Sequence, residues 1–288
     1  KAVRPFVTTS PGRRCLINVR RVVEFAIALS VVALAFNASA QESANASKKP
    51  FEPVPGMPGK DSVWVPTPIP TLEKMYDLAK LTPKDFVMDL GSGDGRAIIV
   101  AAKRGTPGLG IEWNQELIDL SNKLAAAAGV SHLAKFQRGD MFAADLSKAT
   151  VLGLFMLPDQ LKKLTPKFLA MRPGSRITMN GFTPPGWTPD VTDKATGDCG
   201  TWCTAHLFIV PAPVAGTWRL GQAGLALKQS FQMLTGTLTT GGKSTPITGK
   251  LNGEEITFTA GDAQYTGRVA GNTMSGQVNG KPWSATKK

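Results

Sequence analysis

The strongest constraint on the fold lies in residues 85–102, where an apolar run leads into three closely spaced glycines. Phe86-Val-Met-Asp-Leu90 indicates a buried strand, Gly91-Ser-Gly-Asp-Gly95 a tight turn, and Arg96 begins a run of helix-forming residues. Because glycine has no Cβ, the backbone here can turn sharply and approach a ligand closely. The sequence therefore predicts the strand–turn–helix unit that opens a nucleotide-binding α/β fold.

The residues of this turn also narrow the choice of ligand. The spacing differs from that of a dinucleotide fingerprint, because no glycine follows three residues after Gly95. Asp89, inside the end of the strand, would repel a pyrophosphate but suits a ligand that carries an ammonium group. S-adenosylmethionine (SAM) has an α-amino group and no phosphate. We therefore predict SAM as the cofactor, held at Asp89, Gly91, Ser92, Gly93 and Gly95.

Two later strand ends carry further candidate ligands. Glu112 ends the predicted second strand about 20 residues beyond the turn, where such folds place the carboxylate that binds the ribose hydroxyls. Asp140 ends the third strand and would accept a hydrogen bond from the adenine amino group, with Met141 packed on the ring. The alternatives are a surface acid at the strand end for Glu112 and a loop-capping residue for Asp140.

The order of the elements predicts two folded domains. Strands and helices alternate across residues 63–213, which indicates an α/β domain with a doubly wound, mostly parallel sheet. Residues 214–288 are rich in Thr and Gly, and a short Thr/Ser-Gly-x-Leu/Val element recurs four times between turn pairs. This pattern predicts a small antiparallel β domain, a meander or a barrel, that serves packing or partner binding.

The N-terminal segment has the features of an export signal. Residues 1–40 contain six Lys or Arg against one Glu, and an apolar stretch over 25–36 leads to Ala38-Ser-Ala40. We predict a signal peptide over 1–40, a linker over 41–62 and a periplasmic product. The alternatives are a membrane anchor formed by the uncleaved segment, and a cytosolic product whose start was wrongly assigned.

Charge and cysteine content bear on partners. The net charge is +12, but the basic residues beyond position 40 are not clustered and are not interleaved with aromatic residues. This argues against a nucleic-acid partner. Cys199 and Cys203 are spaced for a disulfide in an exported protein. Two buried free thiols are the alternative. A zinc site with His206 would lack a nearby fourth ligand, so we predict no metal.

Six segments, in the same order along the chain, resemble one family. They are similar to segments of the small protein-lysine N-methyltransferases that modify ATP synthase c-subunit and adenine nucleotide translocase, and of their bacterial relatives. The resemblance covers roughly 63–190 and implies a class I SAM-dependent methyltransferase with a seven-stranded sheet, a lysine acceptor and tolerance of a membrane-proximal location. The segments are Val65-Pro-Thr-Pro68, Met88-Asp-Leu-Gly-Ser-Gly-Asp-Gly-Arg96, Gly110-Ile-Glu-Trp-Asn114, Gly139-Asp-Met-Phe142, Phe155-Met-Leu-Pro158 and Gly186-Trp-Thr-Pro189.

Candidate catalytic residues follow the fourth and fifth strands. We expect Asp159 to assist deprotonation of an amine acceptor, with a helix N-cap as the alternative. Trp187, together with Phe182, is expected to line an acceptor slot. The predicted function is SAM-dependent N-methylation of a lysine or small amine in an exported or membrane-associated setting. The alternative is a non-catalytic exported module that binds an adenosyl ligand and uses its β domain for a partner.

Overall fold

The computed structural model describes residues 51–288. The expected signal peptide at 1–40 and the first ten residues of the expected linker lie outside the described residues. The helices are α1 (Ile69–Leu78), α2 (Arg96–Lys103), α3 (Gln115–Ala127) and α4 (Pro158–Leu169). The strands of the first sheet are β1 (Val87–Leu90), β2 (Gly108–Glu112), β3 (Ala134–Arg138), β4 (Val151–Leu154), β5 (Arg176–Asn180), β6 (Val191–Lys194) and β7 (Thr204–Ile209).

This first sheet has seven strands in the order β3-β2-β1-β4-β5-β7-β6. Strands β1 to β5 run parallel, whereas β7 is antiparallel to β5 and β6 is antiparallel to β7. The chain starts at the centre of the sheet, moves to the β3 edge and returns to build the other half. The order therefore reverses beside β1, and such a point is where open α/β sheets bind ligands.

Helices cover both faces of the sheet. Successive side chains of a buried strand point to opposite sides, so each strand packs against helices on both faces. Val87 packs with buried residues of α1 and α2, while its neighbour Met88 packs with buried residues of α4. The residues of β1 are all buried. Because side chains alternate along a strand, Asp89 lies on the same face as Val87, beneath α1 and α2. The hydrophobic core thus holds the glycine turn at a rigid strand end.

The second domain is a closed antiparallel barrel of eight strands. Each strand pairs with its neighbours in the chain, and β15 pairs with β8 to close the barrel. Alternate residues point inward and pack around Trp218, Phe258 and Trp283, so side chains fill the interior. The strands are β8 (Gly216–Leu220), β9 (Ala223–Ser230), β10 (Met233–Thr240), β11 (Lys243–Asn252), β12 (Glu255–Ala260), β13 (Ala263–Ala270), β14 (Thr273–Val278) and β15 (Lys281–Lys287).

The recurring glycine of the barrel sequence has a steric cause. A Cβ on Gly236 would lie 1.9 Å from the carbonyl oxygen of Ala226 on the neighbouring strand, and one on Gly276 would lie 1.9 Å from that of Thr266. These are backbone atoms of paired strands and cannot rotate away. Glycine is required wherever two strands of this small barrel approach so closely.

The barrel docks on the sheet domain through an aromatic stack. Trp187, in the loop after β5, lies parallel to Phe231 of the barrel with ring centroids 5.2 Å apart and meets Phe208 of β7 edge-on. Beside this stack, the Lys250 ammonium lies 3.0 Å from the carboxylate of Asp190. The α/β domain with a mostly parallel seven-stranded sheet and a following antiparallel β domain confirms the expected fold class.

The strand contact predicts a difference between two otherwise similar substitutions. Gly236→Ala should lower the free energy of unfolding by about 1–3 kcal/mol, because the methyl group overpacks against a backbone oxygen. Gly224→Ala on β9 is the matched control, since a Cβ there meets nothing within 4 Å. Its effect should stay within about 0.5 kcal/mol. Denaturant unfolding followed by tryptophan fluorescence measures both, and equal effects would contradict the steric explanation.

Candidate active site

A cavity of about 340 Å³ opens at the carboxyl ends of the central strands. Its inner wall comes from the turn after β1, the end of β2, the loop after β3 and the residues that follow β4. Residues 57–65 form the outer wall, and we name this segment the flap. The cavity therefore occupies the position where a doubly wound sheet binds its ligand.

The glycine turn adopts a conformation that other residues rarely take. Gly91, Gly93 and Gly95 have φ angles of +73°, +56° and +78°. A Cβ on Gly93 would lie 2.4 Å from the indole nitrogen of Trp64, and one on Gly95 would lie 2.5 Å from the ring of Phe136. The turn is therefore closely packed on both sides, against the flap and against β3.

Glu112 connects this turn to the end of β2. Its carboxylate accepts hydrogen bonds from the backbone N–H of Gly93 at 2.9 Å, Trp113 at 2.8 Å and Asn114 at 2.9 Å. A carboxylate offers about four acceptor sites, so capacity remains for a ligand hydroxyl. Glu112 also lines the cavity. Glu112 therefore lies at the cavity and also holds the turn, and its ribose-binding role stays a prediction.

A small polar cleft of about 40 Å³ lies beside the main cavity and is lined by Asp89, Ser92 and Asp94. Burial, followed by repulsion from Glu112 and Asp94, raises the pKa of Asp89 to about 8. The Ser92 hydroxyl is buried and makes no hydrogen bond to the described residues. A buried neutral carboxyl and an unpartnered hydroxyl suit a small polar group that carries positive charge.

Asp140 and Met141 both line the main cavity, as predicted for an adenine site. The Asp140 carboxylate accepts from the Lys60 ammonium at 2.7 Å and from the N–H of Phe142 at 2.8 Å. The hydrogen bond from Lys60 holds the pKa of Asp140 below its usual value. The loop-capping alternative is therefore also present, because one oxygen caps the turn while the other reaches the flap.

The flap is folded, which differs from the extended linker expected at 41–62. Its chain doubles back, since the N–H of Trp64 donates to the Met57 carbonyl at 2.9 Å. The Gln160 amide donates to the Asp61 carbonyl at 3.2 Å, and Lys60 lies 4.4 Å from the ring centre of Trp113. The Ser-, Ala-, Lys- and Pro-rich composition of residues 41–62 suggested an extended linker, but contacts to distant residues hold residues 57–62 at the cavity.

Neither of the two residues predicted for catalysis lines the cavity. Asp159 is exposed in the first turn of α4 and is absent from the cavity wall. Trp187 is only 2% exposed, because it packs between Phe208 and Phe231. The sequence predicted that Trp187 lines an acceptor slot, and this prediction is wrong because its ring packs against the barrel. Phe182 does line the cavity, as expected.

Sequence reasoning missed four other aromatic residues on the cavity wall, among them Phe155 and Trp202. Phe155 directly follows β4, and Trp202 lies in the loop before β7. The sulfur atoms of Cys199 and Cys203, on either side of Trp202, lie at disulfide distance. The signal that could have found Trp202 is its position between two cysteines that a disulfide would bring together.

No metal centre is apparent in the described part of the chain. Residues 51–288 contain no group of three or more His, Cys, Asp or Glu arranged to hold a metal ion. His206 instead contacts the Thr192 hydroxyl at 2.9 Å and the Gly181 carbonyl at 3.3 Å. Over the same residues, no helix is both long enough and apolar enough to cross a bilayer.

Comparison with known proteins finds relatives of the domain that contains this cavity. A family model, the ANTKMT methyltransferase domain, matches residues 89–191. A protein-lysine N-methyltransferase of Saccharolobus islandicus (strain REY15A) is 35% identical over 150 residues, which cover 51% of this chain and 92% of that protein. The ATP synthase c-subunit lysine N-methyltransferase of Mus musculus is 37% identical over 107 residues, covering 37% of this chain and 43% of that protein. The chain thus spans less than half the length of this second relative.

Among solved structures, an RNA methyltransferase from Salinibacter ruber in complex with S-adenosyl-L-homocysteine is 38% identical, with a TM-score of 0.48. That similarity covers 52% of this chain and 96% of the other. The protein is an enzyme whose cofactor is SAM, as the glycine turn predicted, rather than a non-catalytic module. Because the Saccharolobus islandicus relative is matched over nearly its whole length, the chain belongs to the family of protein-lysine N-methyltransferases within the class I SAM-dependent methyltransferases.

Proposed function

We propose that this enzyme transfers the methyl group of SAM to the side-chain amine of a lysine in an exported or membrane-associated protein. The observation that carries the proposal is a cavity with two distinct ends. One end lies at β1, β2 and β3, with the glycine turn, Glu112 and Asp140, and the other lies at β4 and β5, with Phe155 and Phe182. The first suits an adenosyl group and the second suits the aliphatic stem and charged tip of a lysine.

The residues present fit the cofactor. SAM supplies an activated methyl group on a sulfonium, so the protein needs only to bind, orient and desolvate the reactants. Glu112 has acceptor capacity for a ribose hydroxyl, and Met141 offers an apolar surface to the adenine. The cleft at Asp89 and Ser92 suits the ammonium end, which would give the unpartnered Ser92 hydroxyl a partner.

A lysine acceptor must lose its proton before it can attack the methyl group. The described carboxylates on the cavity wall are Asp61, Glu112 and Asp140, and backbone or Lys60 donors already engage the latter two. We assign the attraction and deprotonation of the acceptor ammonium to Asp61 of the flap. This replaces Asp159, which does not line the cavity, whereas Asp61 does.

The proposed setting rests on two features of the chain. The first 40 residues carry the basic, apolar and small-residue order of a secretory signal. The Cys199–Cys203 pair is what an oxidising compartment allows. The acceptor would then be a protein of the membrane or of the space outside it.

The first prediction from the proposed function concerns Glu112. Glu112→Ala removes a ribose acceptor and also releases the Gly93 N–H, so the affinity for S-adenosylhomocysteine should fall at least tenfold, which is ~1.4 kcal/mol. Glu116→Ala is the matched control, because this exposed acid lies four residues on and makes the same charge change. Isothermal titration of the full chain measures both affinities. If wild-type protein gives no heat with either SAM or S-adenosylhomocysteine, the cofactor site is wrongly placed.

The second prediction follows from the raised pKa of Asp89, which is about 8. Asp89 is mostly protonated at pH 7, and a ligand ammonium beside it would favour the carboxylate. Binding should therefore release about 0.9 proton at pH 7, and affinity should rise with pH until about 8. Above that pH the ligand's own amino group loses its proton, so affinity should fall again.

Titration in two buffers with different ionisation enthalpies counts the released protons. Asp89→Asn should bind with little proton release and should lose the rise in affinity between pH 6 and 8. Equal proton release by Asp89→Asn and wild type would show that another group titrates.

The third prediction tests methyl transfer. Radiolabelled SAM is supplied with the enzyme to membrane and periplasmic extracts, and label should appear in protein and be recovered on methylated lysine after hydrolysis. Asp61→Asn should lower the rate at least tenfold, whereas Asp159→Asn should leave it within about twofold of wild type.

Label recovered in RNA, lipid or a small amine instead would contradict the lysine proposal. Mass spectrometry of the N-terminus from fractionated cells checks the setting, and a mature chain that begins near Gln41 is expected. A cytosolic chain that retains Arg13 and Arg14 would rule out export.

A further inference from the structure

Three aromatic residues meet at one end of the cavity although they lie far apart in the chain. Phe155 follows β4 by one residue, Phe182 follows β5 by two, and Trp202 precedes β7 by two. Because β4 and β5 are parallel and β7 is antiparallel to β5, these three positions share one edge of the sheet. The three rings, which we name the aromatic wall, all line the cavity.

The rings of the aromatic wall contact one another at their edges and faces. Phe155 and Trp202 meet edge to face with centroids 4.8 Å apart, and Phe182 lies 5.7 Å from Trp202. Phe155 and Phe182 are nearly parallel, with centroids 6.2 Å apart. All three side chains are half-buried, so part of each ring faces the cavity.

The charge around these rings differs from that around Trp113, which also lines the cavity. Trp113 already faces two cations, since Lys60 lies 4.4 Å and Arg138 lies 5.6 Å from its ring centre. Within residues 51–288, no Lys or Arg lies over a ring of the aromatic wall. Its π faces are thus open to a cation that comes from outside the protein.

Several independent constraints hold Trp202 in place. Its backbone N–H donates to the Cys199 carbonyl at 2.9 Å, and its own carbonyl accepts from the buried Thr71 hydroxyl at 2.7 Å. The Cys199–Cys203 disulfide closes the short loop that contains it. Gly181 packs closely against the indole ring, because a Cβ there would lie 3.1 Å from it. Such restraint limits the entropy that the ring would lose when a ligand binds.

We propose that the aromatic wall binds the acceptor amine as a cation, including its methylated forms, and that the disulfide loop holds Trp202 for this purpose. The inference rests on the proposed lysine acceptor and adds the group that recognises it. A quaternary ammonium is bound through cation–π contacts alone, because it has no N–H to donate. An enzyme with such a wall retains a partly methylated lysine between successive transfers.

The test uses two small probes with the full chain loaded with S-adenosylhomocysteine. One probe is N-acetyl-trimethyllysine amide, and the other is its neutral isostere with carbon in place of the quaternary nitrogen. Tryptophan fluorescence gives both affinities. Wild-type protein should prefer the cation at least about fivefold, because the two probes match in shape and apolar area.

Variants then assign the preference to particular rings. Trp202→Leu should reduce the preference to less than about twofold, whereas Trp202→Phe should keep most of it. The double variant Cys199→Ser/Cys203→Ser should weaken binding of the cation about three- to tenfold, because the loop loses its closure. Affinity for S-adenosylhomocysteine should stay unchanged in all three.

The outcomes separate this inference from the proposed function. Equal affinity for the two probes, no detectable binding of either, or an unchanged preference in Trp202→Leu would overturn the aromatic wall while cofactor binding stands. Loss of cofactor binding in wild type would instead refute the proposed function. If Trp202→Leu does not fold, wild-type protein treated with a phosphine, which is oxidised as it converts the disulfide to two thiols, tests the loop instead, and an unchanged affinity for the cation would then overturn the role given to the disulfide.

Discussion

The site depends on the hydrogen bonds that backbone N–H groups donate to the Glu112 carboxylate. They join the glycine turn after β1 to the chain that leads from β2 into α3. The parallel pairing of β1 and β2, with Leu90 opposite Ile111, brings these segments together. One carboxylate therefore shapes the turn before any ligand arrives. It can do so because a charge-assisted hydrogen bond in a partly buried site is stronger than a neutral one.

The two ends of the cavity are built in different ways. The cofactor end comes from short motifs in which strand, turn and acid are close neighbours in the chain. The proposed acceptor end combines the flap, the residues after β4 and β5, and the loop between Cys199 and Cys203. Methyl transfer from a sulfonium asks mainly for alignment, so an enzyme of this family can keep the first end and vary the second to change its acceptor.

The barrel also bears on the acceptor end. Phe182 lies on the cavity, while Trp187, in the same loop after β5, stacks on Phe231 of the barrel. The Trp187 indole nitrogen is buried and makes no hydrogen bond to the described residues, so packing alone holds the ring. The loop that carries Phe182 is thus anchored by the neighbouring domain. This contact gives the barrel a structural role beside the active site, in addition to any partner that it binds.

The sequence by itself determined the strand–turn–helix unit, the place of Glu112 and Asp140, the α/β class and the β character of the C-terminal domain. These follow from periodicity and glycine spacing, which act over a few residues. Only the tertiary structure decided the flap, because its anchors Lys60–Asp140 and Asp61–Gln160 join residues 80 and 99 positions apart. It also decided that Trp187 packs against the barrel and that Trp202 faces the cavity. The direction of a side chain in a loop is set by whichever distant surface buries it, and no local pattern records that choice.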